Sequence, residues 1–165
     1  PTSNLGWYEN DPSATIELIQ KSNISKNSLI FSAGAGSSLL IGNLLEIGYT
    51  NLIVNDISSK ALKCLKSQIG ETKNIKYIID DLTNPTHLND IDMVDMWHDR
   101  AVLHFFVHPL KQKTYFNLLK DKIKVGGYLL GHDINQPQVR KAVNEVLGLN
   151  NWSIAKRQKI WYVKR

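Results

Sequence analysis

The sequence predicts an α/β fold, a mostly parallel sheet with helices on both faces, on three observations. Short β-rich runs alternate with stretches of helical period along the whole chain, the pattern of a parallel sheet with helical crossovers. A glycine-bearing loop, Ser32-Ala33-Gly34-Ala35-Gly36-Ser37-Ser38, closes the first β-rich run, and Asp56 ends the second, 22 residues after Gly34. The last two runs are joined by a polar turn too short for a helix, which makes that pair antiparallel.

Each element follows in order. An opening segment with Gly6-Trp7-Tyr8-Glu9 leads through Asp11-Pro12-Ser13 into a helix-like stretch with Ile16, Leu18 and Ile19. Residues 28–33 (SLIFSA) read as a buried strand ending in small residues, and residues 38–47 as an amphipathic helix stopped by Gly48. Residues 51–55 (NLIVN) form the second strand, and residues 58–69 a helix with Ser58 as its N-cap. The third strand is 75–79 and the fourth 93–97; a basic helix over 109–123 follows, with Pro109 in its first turn. Gly126-Gly127 predicts a turn into a fifth strand at 128–131. Residues 137–147 read as a helix ended by Gly148, and 151–155 and 159–163 as the closing strands. The sum is a Rossmann-like, seven-stranded, mostly parallel sheet with an antiparallel last strand, in one domain over residues 1–165.

Composition bounds the function classes. At 165 residues, with 42% hydrophobic and 21% charged side chains, the chain suits one domain that buries roughly two-thirds of its unfolded surface. No run approaches the ~18 apolar residues of a membrane span, and no secretory signal pattern opens the chain. A single cysteine, Cys64, forms no internal disulfide, so a cytoplasmic protein is expected. Charge is uneven: residues 1–99 carry 7 Lys/Arg against 12 Asp/Glu, and residues 100–165 carry 13 against 3. A basic half attracts nucleic acid, an acidic protein surface or an anionic small molecule. No aromatic stripe accompanies the lysines at 111, 113, 120, 122 and 124, so a solvated helix face is expected and nucleic acid is not.

The glycine loop carries the chemistry. Glycines let backbone N–H groups approach a ligand closely, and the helix N-terminus that follows favours an anionic group. A carboxylate ending the second strand accepts hydrogen bonds from both hydroxyls of a ribose. The dinucleotide fingerprint G-x-G-x-x-G/A needs a third glycine, and Leu39 stands there instead. No P-loop motif is present. A ligand with ribose, adenine and a small anionic end remains, and S-adenosylmethionine (SAM) fits that description.

In these residues the chain resembles the class I SAM-dependent methyltransferases. The likeness covers nearly the whole length, through Ala33-Gly34-Ala35-Gly36, Asn55-Asp56-Ile57-Ser58 and Asp80-Asp81-Leu82-Thr83. It implies that Asp81 lies by the adenine amino group and that Ile57 packs on the adenine ring. The cofactor-binding set it implies is Ser32, Ala33, Gly34, Gly36, Asp56, Ile57, Asp81 and Leu82. Ser32-Ala33 departs from the family, whose members often carry Asp-x-G-x-G.

The most distinctive run is Asp95-Met96-Trp97-His98-Asp99-Arg100-Ala101-Val102-Leu103-His104-Phe105-Phe106. It is similar to a D-x-W-H-D-R-A-V-x-H-F signature in one branch of these methyltransferases, often found with a G-W-Y-E opening. Its position after strand four makes His98, Asp99 and Arg100 the catalytic candidates, able to orient a substrate or take its proton. Equally, Asp99 and Arg100 suit an ion pair or a helix cap, and Trp97 and His104 suit the core. A second stretch, Gly131-His132-Asp133 with Pro137-Gln138-Val139, resembles another branch, in some of whose relatives acids after strands four and five hold a divalent cation. Asp99 and Asp133 are too few ligands to assert a metal. The expected activity is methyl transfer to an oxygen, nitrogen or sulfur of a small molecule or a protein side chain. An inactive SAM-fold binding module and an NAD(P)-dependent oxidoreductase are the alternatives.

Overall fold

The computed structural model describes residues 11–100, 102–132, 136–137, 139–141, 144, 155–157 and 160–165. Its elements in chain order are α1 (Ser13–Lys21), β1 (Ile30–Ala33), α2 (Leu39–Glu46), β2 (Leu52–Asp56), α3 (Ser59–Ile69), β3 (Ile75–Ile79), β4 (Val94–Asp99), α4 (Pro109–Lys122), β5 (Ile123–Gly131), β6 (Ala155–Arg157) and β7 (Ile160–Lys164). Short 3-10 turns occupy His87–Asp90 and Leu103–Phe105. The sheet order is β3-β2-β1-β4-β5-β7-β6. Strands β1 to β5 pair in parallel, and β7 runs antiparallel to both β5 and β6. Strand order reverses between β1 and β4, which is where an open α/β sheet leaves a crevice at its carboxyl edge.

Local chemistry explains the boundaries. Ser38 Oγ accepts from the Leu40 amide and Ser58 Oγ from the Ala61 amide, so each hydroxyl satisfies an orphan N–H at a helix start. His108 Nδ1 accepts from the Leu110 amide ahead of α4, with Pro109 in its first turn. The central strands are buried on both faces, so alternate residues feed two cores. Phe31, Ile53, Trp97 and Leu129 pack with Tyr115 and Leu119 of α4. Ile30, Val54, Met96 and Leu130 pack with Leu18, Leu40 and Leu62 of α1, α2 and α3. Trp97 is fully buried and stacks on Phe31 with ring centroids 3.8 Å apart.

Three expectations change. Strand β4 runs on to Asp99, so His98 and Asp99 belong to the strand rather than to the loop beyond it. Gly126-Gly127 lies inside β5, not before it. Val94 pairs with Ile123 and Met96 with Tyr128, so β5 advances five residues while β4 advances two. Gly126 takes φ +83°, and a Cβ on Gly127 would sit 2.9 Å from the carbonyl oxygens of Asp95 and Lys124; only glycine accommodates this bulge. The lysines of the basic stretch do not all line one solvated face. Lys122 donates to the carbonyls of Asn89 and Ile91, and Lys124, in β5, pairs with Asp95 at 2.8 Å.

After β5, positions 137, 139–141 and 144 are helical. The opening Gly6-Trp7-Tyr8-Glu9, Asp133 and residues 151–154 of the expected sixth strand lie outside the described residues. Among the described residues, no helix is long and apolar enough to cross a membrane.

Candidate functional site

A cleft of about 440 Å³ opens at the carboxyl edge of the sheet. Its wall comes from the ends of four adjacent strands: Gly34 after β1, Asp56 and Ile57 at β2, Asp80 to Leu82 after β3, and Arg100 and Val102 after β4. Phe105 and Phe106 close one side.

The glycine loop is shaped by contact rather than by flexibility. Gly34 and Gly36 adopt φ +60° and +54°, a region L side chains avoid. A Cβ on Gly34 would stand 2.3 Å from Val102 Cγ2, so a bare backbone is required where the loops after β1 and β4 meet. Asp56 fixes the loop to β2: its Oδ2 accepts from the Gly36 amide at 2.9 Å, and its Oδ1 accepts from the Ser58 amide at 2.8 Å. Each oxygen keeps a further lone pair for a ligand. Asn55, beneath, donates through Nδ2 to the carbonyls of Ile78 and Asp80 and ties the ends of β2 and β3 together.

The paired aspartates after β3 divide their tasks. Asp80 accepts from the amides of Asp81, Thr86 and Leu88 and from the Thr86 hydroxyl, at 2.9–3.0 Å. Burial alone would raise its pKa, but these donors outweigh burial and hold the carboxyl below its ordinary value. Asp81 Oδ1 takes the amide and hydroxyl of Thr83, both at 2.8 Å. Its Oδ2 has no protein donor among the described residues.

The strand-four candidates separate. Arg100 is buried and lines the cleft. Asp99 does not line it. Asp99 Oδ1 accepts from the amides of Val102 (2.8 Å) and Leu103 (3.2 Å), and Oδ2 accepts from Tyr115 Oη at 2.5 Å. The same Tyr115 oxygen accepts from Trp97 Nε1 at 3.0 Å. Burial raises the Asp99 pKa against the lowering effect of these donors, and burial beside Asp99 drives the Tyr115 phenol well above its ordinary value. His98 turns to the other face of the sheet, fully buried, with Nδ1 3.2 Å from Ser32 Oγ and Nε2 3.3 Å from His132 Nε2. His132 in turn stands 3.5 Å from Thr15 Oγ1 on α1. Burial, then His132 and Arg100, depress the His98 pKa well below its ordinary value.

Of the expected cofactor residues, Gly34, Asp56, Ile57, Asp81 and Leu82 line the cleft together, and Gly36 is bonded to Asp56 beside it. Ser32 and Ala33 do not line it, because both are strand residues buried in β1. Asn55, Asp80, Val102, Phe105 and Phe106 complete the wall. All five belong to the three motifs of the sequence, although none of them is expected there as a cofactor or catalytic residue. Among the described residues, no group of three or more His, Cys, Asp or Glu converges to hold a metal ion.

Comparison with known proteins agrees with this architecture. No family model matches the chain. EEF1A lysine methyltransferase 2 of Danio rerio is 31% identical over 91 residues, which is 53% of this chain and 39% of that protein. Among solved structures, N-methyltransferase NodS from Bradyrhizobium japonicum WM9 with S-adenosyl-L-homocysteine superposes with a TM-score of 0.72 at 11% identity, over 99% of this chain and 90% of that one. Magnesium protoporphyrin IX methyltransferase from Synechocystis PCC 6803 with bound SAM gives 0.68 at 18%, over 93% and 76%. A putative SAM-dependent methyltransferase from Methanococcus maripaludis gives 0.70 at 14%, over 93% and 83%. The chain has the α/β, Rossmann-like fold of the SAM-dependent methyltransferases.

Proposed function

We propose that the protein is a SAM-dependent methyltransferase whose cofactor occupies the carboxyl-edge cleft. The observation that carries this reading is the cleft itself, with a glycine loop after β1 and open carboxylate lone pairs at the ends of β2 and β3. Its volume falls within the ~300–1,000 Å³ of single-ligand pockets. Acceptor oxygens suit the hydroxyls of a ribose and the amino group of adenine.

In this reading Asp56 accepts from the ribose hydroxyls, and Asp81, through Oδ2, from the adenine amino group. Ile57, 70% exposed, and Leu82 give the ring apolar surfaces. Gly34 lines the cleft, and its bare backbone lets Val102 close against the glycine loop beside the methionine end. Bound there, SAM supplies a methyl group on a sulfonium, whose sulfur keeps the C–S electron pair on transfer. Positioning in line then provides most of the acceleration, and Arg100 is the strand-four residue placed to orient the reacting groups. Asp99 and His98 act as positioning residues: Asp99 holds the loop that carries Val102 and Phe105, and His98 holds Ser32 beneath the glycine loop. The acceptor is an oxygen, nitrogen or sulfur nucleophile, and the lysine methyltransferase relative favours a protein amine.

Calorimetric titration with SAM tests the reading: one site is expected, abolished or much weakened in Asp56→Ala. Absence of binding at millimolar SAM, or tighter binding of NAD, overturns it.

A further inference from the structure

Phe105, Val107 and Leu110 keep 64%, 77% and 69% of their surface in solvent. Single exposed apolar side chains are ordinary, but these three stand within six residues, on the 3-10 turn, the connection after it and the first turn of α4. Phe105 also lines the cleft. The apolar ridge therefore starts at the cleft mouth. On α4, exposed Lys111 and Lys113 stand on either side of Leu110, and neither enters a salt bridge among the described residues. From residue 100 to residue 120 the chain carries Arg100, Lys111, Lys113 and Lys120 and no acidic side chain. The cleft beside this basic ridge is walled by Asp56, Asp80 and Asp81.

These signs and shapes constrain an acceptor, given the methyltransferase reading on which this inference rests. A cleft of about 440 Å³ is near the lower end of the range for one drug-sized ligand, so the cofactor fills it and the acceptor arrives across the rim. A small acceptor in the cleft would touch neither Leu110 nor Lys113, which lie outside its lining. An extended chain advances about 3.3 Å per residue and reaches both. We propose that the ridge docks a polypeptide acceptor, with an apolar side chain on Val107 and Leu110 and acidic side chains against Lys111 and Lys113, flanking the residue presented to the cleft.

The test uses three labelled synthetic peptides and fluorescence polarisation. The first has a central lysine, one leucine and flanking glutamates; the second replaces the glutamates by arginines; the third replaces the leucine by glycine. The glutamate peptide should bind about tenfold or more tighter than either, a difference of about 1.4 kcal/mol against each, and should weaken as salt rises. Lys111→Glu/Lys113→Glu should reverse the charge preference, and Val107→Asp/Leu110→Asp should erase the leucine preference. Circular dichroism and SAM affinity should stay unchanged in both double variants. Equal affinity for the glutamate and arginine peptides, undiminished glutamate-peptide binding in Lys111→Glu/Lys113→Glu, or a single-stranded RNA that outcompetes every peptide overturns the proposal. Failure of the methyltransferase reading is separate, since it removes SAM binding and leaves peptide binding in place.

Discussion

Replacing Asp99 by asparagine distinguishes a structural carboxylate from a chemical one. The wild-type carboxylate accepts three hydrogen bonds: two from the amides of Val102 and Leu103 and one from Tyr115, whose oxygen already accepts from Trp97. An asparagine whose oxygen faces the amides points its NH2 group at Tyr115 Oη across 2.5 Å, closer than N–H···O bonds allow, and leaves the phenol proton without an acceptor. The flipped amide sets donor against donor at Val102 and Leu103. Either way a charge-assisted bond worth about 1.5–3 kcal/mol is lost, and a buried donor is stranded at about 1–3 kcal/mol. Removing a buried charge offsets part of this, leaving about 2–4 kcal/mol of destabilisation. For a domain of this length that lowers Tm by roughly 4–16 °C, at about 2–4 °C per kcal/mol. Thermal melts, SAM titration and turnover on one preparation form the assay. The expected variant melts early but binds SAM and turns over normally when cold. An unchanged Tm with turnover reduced about 100-fold, the scale of a lost acid–base group, refutes the structural role.

Asp56→Ala should weaken SAM binding by about 10- to 150-fold, from the loss of about 1.5–3 kcal/mol, and isothermal calorimetry reads the loss. Gly34→Ala should destabilise the protein by about 2–4 kcal/mol in urea melts. A left-handed L-residue costs about 1–2 kcal/mol, and the 2.3 Å approach to Val102 adds overpacking. Asp80 is held below its ordinary pKa in the folded state, so its stabilising effect is complete above about pH 4 and is lost as pH falls through the lowered value. Urea midpoints measured from pH 5 downward should fall more steeply for the wild type than for Asp80→Asn, whose side chain does not titrate.

The local features were legible because their causes are local. Ser58 caps α3, and β3 spans 75–79, because capping chemistry and strand period are written in adjacent residues. The glycine loop and Asp56 meet because one βαβ unit brings successive strand ends together. Tertiary structure decided what the strand-four run does. His98 and Asp99 are neighbours in sequence, but side chains alternate across a sheet, so one turns to Ser32 and His132 and the other to Tyr115. The Val102 and Leu103 amides that Asp99 caps are local, but these side-chain partners lie 16 to 66 residues away, and no local pattern names them. The bulge at Gly126-Gly127 likewise depends on Asp95 across the sheet, and the different duties of Asp80 and Asp81 depend on the turn at 86–88. Sequence alone placed polar and charged groups at the carboxyl edge; packing against distant elements decided which of them face the cleft.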